Sequence, residues 1–145
     1  MPSHSPPLAE LAPGVSAAAA LDRDDIEALA AAGVRTIVNN RPDGEDWGQL
    51  PAAEAQALAA AHGIAYHHIP FTGPTLSKAD VDAFAAVLAS APHPIVAHCR
   101  SGTRSTLLWA LVRLRAGDDP AALIAQAARY GIDIAALPAI GARLG

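Results

Sequence analysis

The sequence predicts one α/β domain: a central, mostly parallel sheet of four to five strands flanked by helices. Three observations predict it. Short β-branched or apolar runs alternate with stretches of helical periodicity along most of the chain. Glycine, proline and capping residues punctuate the junctions. A chain of 145 residues, 52 % hydrophobic, is long enough for one buried core and shows no repeat or second-domain segment.

Taken in order, residues 1–10 open with prolines and serines and read as a flexible tail ahead of a single domain over 11–145. Val15 to Ala18 form a first short strand. Asp22 is a helix N-cap, followed by a stripe of Ile26, Leu29 and Ala30 that ends at Gly33. VRTIVNN is a β-branched strand, and RPDG after it is a turn. PAAEAQALAAAHG opens a helix with proline and closes it with glycine. AYHHIPF is a strand stopped by FTGPT. Ser77 to Asp80 make an acidic capping box for a helix with Val81, Phe84 and Leu88 on one face. PIVAH is an apolar strand, and Ser105 to Ala116 a helix apolar nearly all round, with Trp109 as core packing. Asp119-Pro120 start another helix running to about Tyr130, and the tail from Ile132 forms a last short helix.

Composition narrows the function classes. A net charge of −4 gives no basis for nucleic acid or an anionic membrane as partner. No apolar run approaches a membrane span, and the start lacks a basic signal-like region. The single cysteine, Cys99, leaves a free thiol that fits a reducing compartment, so a cytoplasmic location is expected. His67 and His68 are adjacent on a strand and face opposite ways. Without a second cysteine no metal site is expected, and no cofactor is implied.

Parallel sheets bind ligands beyond the carboxyl ends of their strands, which selects NNRPDGE, FTGPT and CRSGTRS. In the last of these, Cys99 is the first residue off the PIVAH strand. Gly102 permits the following peptide N–H groups to curl round its sulfur, and the next helix adds the positive end of its dipole. Arg104 and Arg100 supply full charges. These features favour a thiolate over a thiol and place a nucleophile inside an anion-binding cup. The cup is built from Arg100, Ser101, Gly102, Thr103 and Ser105, with Arg104 holding the anion. A buried cysteine closing a core strand is the plain alternative, but it has no use for two arginines and a glycine bend within five residues. His98 precedes the nucleophile and points to the other face, where it steadies the loop backbone. In NNRPDGE, Arg41 is a candidate for substrate binding and Asp43, or Glu45, for the acid, against the alternative of a solvated turn.

HC-x-x-G followed by Arg-Ser resembles the signature loop of cysteine-dependent protein phosphatases, although only Thr103 stands between Gly102 and Arg104, where that pattern has two residues. In length and order CRSGTRS is closer to the active loop of rhodanese-type sulfurtransferases. DRDDIEALAAAGVRTIVNNRPDGE, AAHGIAYHHIPF and HCRSGTRSTLLWAL, within about residues 11 to 137, resemble the beta-lactamase-hydrolase-like family with a phosphatase-like domain, of DUF442 type. That resemblance implies a dual-specificity-phosphatase-like architecture. Family members occur alone or joined to metallo-hydrolase-like domains, which implies a functional link to a sulfur dioxygenase-like partner. It also implies an acid after HHIPF, yet Thr72, Gly73, Pro74 and Thr75 include no carboxylate, and Asp80 is committed to a helix start.

The shortened loop and the missing acid together favour a cysteine-nucleophile sulfurtransferase that carries sulfane sulfur as a Cys99 persulfide between small-molecule donors and acceptors. A phosphatase hydrolysing phosphate esters through a Cys99 phosphoenzyme is the alternative. A non-catalytic oxyanion or persulfide sensor is a third.

Overall fold

The computed structural model describes residues 5–145. The chain runs β1 (Ala9–Ala12), β2 (Val15–Ala18), α1 (Arg23–Ala31), β3 (Thr36–Asn39), α2 (Ala52–Ala61), β4 (Ala65–His68), α3 (Lys78–Ser90), β5 (Ile95–His98), α4 (Thr103–Arg115), α5 (Pro120–Ala128) and α6 (Leu137–Leu144). The strands form one sheet in the order β1-β2-β5-β3-β4. Only β1 is antiparallel to its neighbour; β2, β5, β3 and β4 run parallel.

β5 is the central strand, with Ile95–His98 paired to Val15–Ala18 on one side and Thr36–Asn39 on the other. Both β3 and β5 are buried along their whole length, which is why each reads as an apolar run without alternation. Their side chains divide by parity between two cores. Val38, Ile95 and Ala97 pack with Phe84, Leu108, Trp109, Leu123 and Leu137 from α3 to α6. Ile37 and Val96 pack with Ile26, Leu29, Ala55 and Ala59 from α1 and α2. All four parallel strands therefore point their carboxyl ends at one rim, with helices screening both faces.

Two expectations need correction. Residues 9 and 10 are not tail: Ala9–Ala12 form β1, hairpinned onto β2 with Ala9 opposite Ala17. Ala9 and Leu11 are buried and Glu10 is exposed, an alternation too brief to stand out in the sequence. The outer carbonyl of Glu10 accepts a hydrogen bond from Gln126 Nε2 at 3.0 Å, so α5 covers this edge. Residues 1–4 of the expected tail lie outside the described residues. Helix α4 begins at Thr103, two residues before the expected Ser105, because Gly102 serves as its N-cap in a left-handed conformation. Among the described residues, no helix is long and apolar enough to cross a membrane.

The capping expectations are met in detail. Asp22 Oδ1 accepts from Asp25 N at 2.8 Å, and Asp25 Oδ2 accepts from Asp22 N at 2.9 Å. Asp80 Oδ2 accepts from Ser77 N at 2.9 Å, which fixes that carboxylate at the start of α3. Replacing Asp22 by alanine should cost about 1 kcal/mol, read as a lower urea midpoint with an unchanged slope.

Candidate active site

The site is built at the end of β5. Cys99 N donates to Ala18 O at 3.3 Å, extending the ladder one residue past His98, and the cysteine is fully buried. The chain then turns at Gly102, whose φ of +94° is a conformation that L side chains resist. That turn directs Gly102 N–H at Cys99 Sγ, 3.1 Å away. Gly102 O meanwhile accepts the Thr106 N–H at 3.0 Å, which starts α4. Ala20 N donates to Arg100 O at 3.1 Å and pins the other side of the loop. Among the described residues, the N–H groups of Thr103, Arg104 and Ser105 have no acceptor within the protein. The first turn of a 13-residue helix thus offers its donors and dipole beside the sulfur.

Arg104 is held by a countable set of bonds. Its Nη1 donates to Glu45 Oε2 at 2.8 Å and to Phe71 O at 3.0 Å, and its Nη2 to Glu45 Oε1 at 2.8 Å. A guanidinium has five N–H donors. Those left over are Nε–H and the second Nη2 hydrogen, which lie along one edge and match two oxygens of a tetrahedral oxyanion. The guanidinium is pushed above the usual arginine range, first by its hydrogen bond to Glu45, against the effect of burial, and further by the nearby Cys99 sulfur.

Glu45 is therefore a brace. Arg104 foremost, against burial and with help from Arg41, holds its carboxyl down at about 2. It is ionised throughout the neutral range and has no proton to give. Arg41, expected to bind substrate, is 5 % exposed and donates Nε to Glu45 Oε1 at 2.9 Å and Nη2 to Asp46. Its backbone N–H is held by Asn39 Oδ1 at 2.8 Å, so it anchors the carboxylates from beneath. Arg100 lies on the rim with Nε 3.1 Å from Asp46. Asp43, expected as the acid, turns instead to α2, where its Oδ1 accepts from Ala52 N at 2.9 Å. The reason is local: the N-cap of α2 is Pro51, which has no side-chain acceptor of its own.

The remaining candidates support the cup. Ser105 Oγ donates to Asn40 Oδ1 at 2.8 Å, and Asn40 Nδ2 donates to Ile69 O at 3.0 Å, a buried chain tying α4 to the ends of β3 and β4. Ser101 Oγ donates to Thr103 Oγ1 at 3.2 Å on the outer lip. His98 is buried, with Nδ1 3.4 Å from Cys99 O. Sequence reasoning missed Asn40, Asp46 and the Phe71 carbonyl. The pair of asparagines at the end of a buried strand was the available signal.

Residues 8–116 match the family model of the beta-lactamase hydrolase-like protein, phosphatase-like domain. The chain belongs to that family. A beta-lactamase hydrolase-like protein of Agrobacterium fabrum is 42 % identical over 87 residues, 60 % of this chain. The matched stretch is 20 % of that relative's length. A solved structure from Neisseria meningitidis Z2491, named as a candidate phosphatase, is 32 % identical with a TM-score of 0.79, covering 93 % of this chain and 94 % of that one. Kinase-associated phosphatase with serine at its catalytic-site cysteine superposes with a TM-score of 0.74 over 99 % of this chain and 97 % of its own, at 18 % identity. That likeness concerns the fold alone. The domain is phosphatase-like in family and fold, and these relatives favour the phosphatase alternative over sulfur transfer.

Burial holds His98 down at about 4, only partly offset by its bond to the Cys99 carbonyl; Arg41 and His68 also oppose its charge. The unfolded chain therefore takes up the His98 proton near the ordinary 6.5 while the folded protein stays neutral. Stability should fall as the pH drops from about 6.5 to 4. In a His98→Asn variant this part of the pH dependence should flatten, as read from denaturation midpoints across that range.

Proposed function

We propose that this domain is a cysteine-dependent phosphatase acting through a Cys99 phosphoenzyme. The observation that carries the proposal is the Gly102 N–H on Cys99 Sγ at the start of α4, whose first-turn amides have no acceptor among the described residues, with the Arg104 guanidinium interacting with the same sulfur. In the first step Sγ attacks phosphorus, the S–P bond forms, and the P–O bond to the leaving group breaks. The amides and Arg104 stabilise charge on the oxygens that do not react. In the second step water attacks phosphorus, the S–P bond breaks, and Cys99 leaves as thiolate with phosphate.

The carboxylates shape the substrate range. Glu45 is ionised and braced, and Asp43 and Asp80 are spent on helix starts. Positioned proton transfer is worth roughly 100- to 10,000-fold, so the first step favours esters whose leaving group departs as a stable anion. Aryl and acyl phosphates meet that condition; simple alkyl phosphates do not.

Sulfur transfer stays as a second reading on one observation: four residues, rather than five, separate Cys99 from Arg104, which narrows the cup. Parallel assays separate the two. Phosphate release from 4-nitrophenyl phosphate, much slower release from an alkyl phosphate, and loss of both in Cys99→Ser are expected. Thiocyanate formed from thiosulfate and cyanide, without phosphate release, would reverse the assignment. Neither product would leave oxyanion sensing as the function of the cup.

A further inference from the structure

A cleft of about 690 Å³ lies between the loop after β3 and the acidic start of α1, where Asp22, Asp24 and Asp25 line it. Its walls include Leu21, Arg41, Asp46, Pro51 and Trp47. Trp47 is fully exposed, at 101 %, although the loop that carries it is well braced. Gln49 Oε1 accepts from Glu45 N at 3.0 Å and from Asp46 N at 3.2 Å, while Gln49 Nε2 donates to Pro42 O at 2.9 Å. Gly44 and Gly48, both at a φ of +77°, form the bends on either side. The loop is also tied to the site. Glu45 grips Arg104, and Asp46, next to Trp47, pairs with Arg100, the residue after the nucleophile.

A braced loop thus presents a large flat ring to water at the rim of an anion cup. Keeping an indole of this size hydrated forgoes the gain from burying it, and a tryptophan here adds nothing to the core. On the phosphatase reading, with Glu45 ionised and Asp43 and Asp80 spent on helix starts, turnover favours stable leaving groups, and the aryl phosphates among them carry a ring.

We propose that Trp47 is a specificity-determining residue, the surface on which the aromatic ring of an aryl phosphate stacks while its phosphoryl group sits over Cys99. This rests on the phosphatase reading for its catalytic consequence, but the stacking itself can be tested without turnover.

The kinetic test compares 4-nitrophenyl phosphate with acetyl phosphate, which also departs without an acid but has no ring. Trp47→Ala should lower the ratio of kcat/KM for the aryl over the acyl substrate by about tenfold, mainly through KM, and Trp47→Phe should restore most of it. An unchanged ratio would overturn the proposal. The binding test uses Cys99→Ser protein and phenyl phosphate. Emission from Trp47 should be quenched, with inorganic phosphate giving no quenching and Trp47→Phe abolishing the response. Trp109, buried in the core, serves as the internal reference. If the parent protein hydrolyses neither ester, the phosphatase reading fails, and quenching still decides the stacking: its presence upholds the role of Trp47 and its absence overturns it.

Discussion

The 3.1 Å approach of the Gly102 N–H to Cys99 Sγ is the interaction on which the site depends. It requires a left-handed residue at that position, and one backbone conformation then does three things. It turns the chain off the central strand, starts α4 through the Gly102 carbonyl, and leaves the next amides without a protein acceptor among the described residues. The sheet supplies the other half of the constraint. Because β5 is paired on both sides and Cys99 N is still bonded to Ala18 O, the sulfur cannot drift relative to the helix. The Gly102 donor is fixed in place by the sheet and the helix, so an anion bound over the sulfur would cost little reorganisation.

Charge around the cup is arranged on the same principle. Three guanidiniums (Arg41, Arg100 and Arg104) face two carboxylates (Glu45 and Asp46), which leaves one positive charge in excess. Glu45 takes one edge of Arg104 and the Phe71 carbonyl takes a further donor, so the arginine presents its remaining edge in a single orientation. The same bonds deprive Glu45 of a proton at neutral pH. In the proposed phosphatase this arrangement strengthens anion binding and gives up acid catalysis at Glu45, a balance that suits substrates with stable leaving groups.

Much of this was legible in the sequence, for local reasons. The strands Val15–Ala18 and Ile95–His98 and the caps at Asp22 and Ser77 follow from short-range pattern. The Cys99 loop could be read because its donors lie within six consecutive residues. What escaped depends on distance or on backbone. Glu45 and Arg104 are 59 positions apart, and a carbonyl such as that of Phe71 has no side-chain signature. Asp43 and Glu45 flank a left-handed Gly44, which turns one toward α2 and the other toward the cup. Nothing in the order of residues says which carboxylate goes where; the demand of Pro51 at the start of α2 decides it.

The most direct measurement is the state of the Cys99 sulfur during turnover. The protein should be mixed with 4-nitrophenyl phosphate, quenched in acid within the first turnovers, and the Cys99 peptide weighed by mass spectrometry. The account predicts one phosphoryl group on that peptide, absent from Cys99→Ser. Phosphate release with an unmodified Cys99 at every time sampled, or a peptide that gains a sulfur atom from thiosulfate but never a phosphoryl group from the ester, would contradict it.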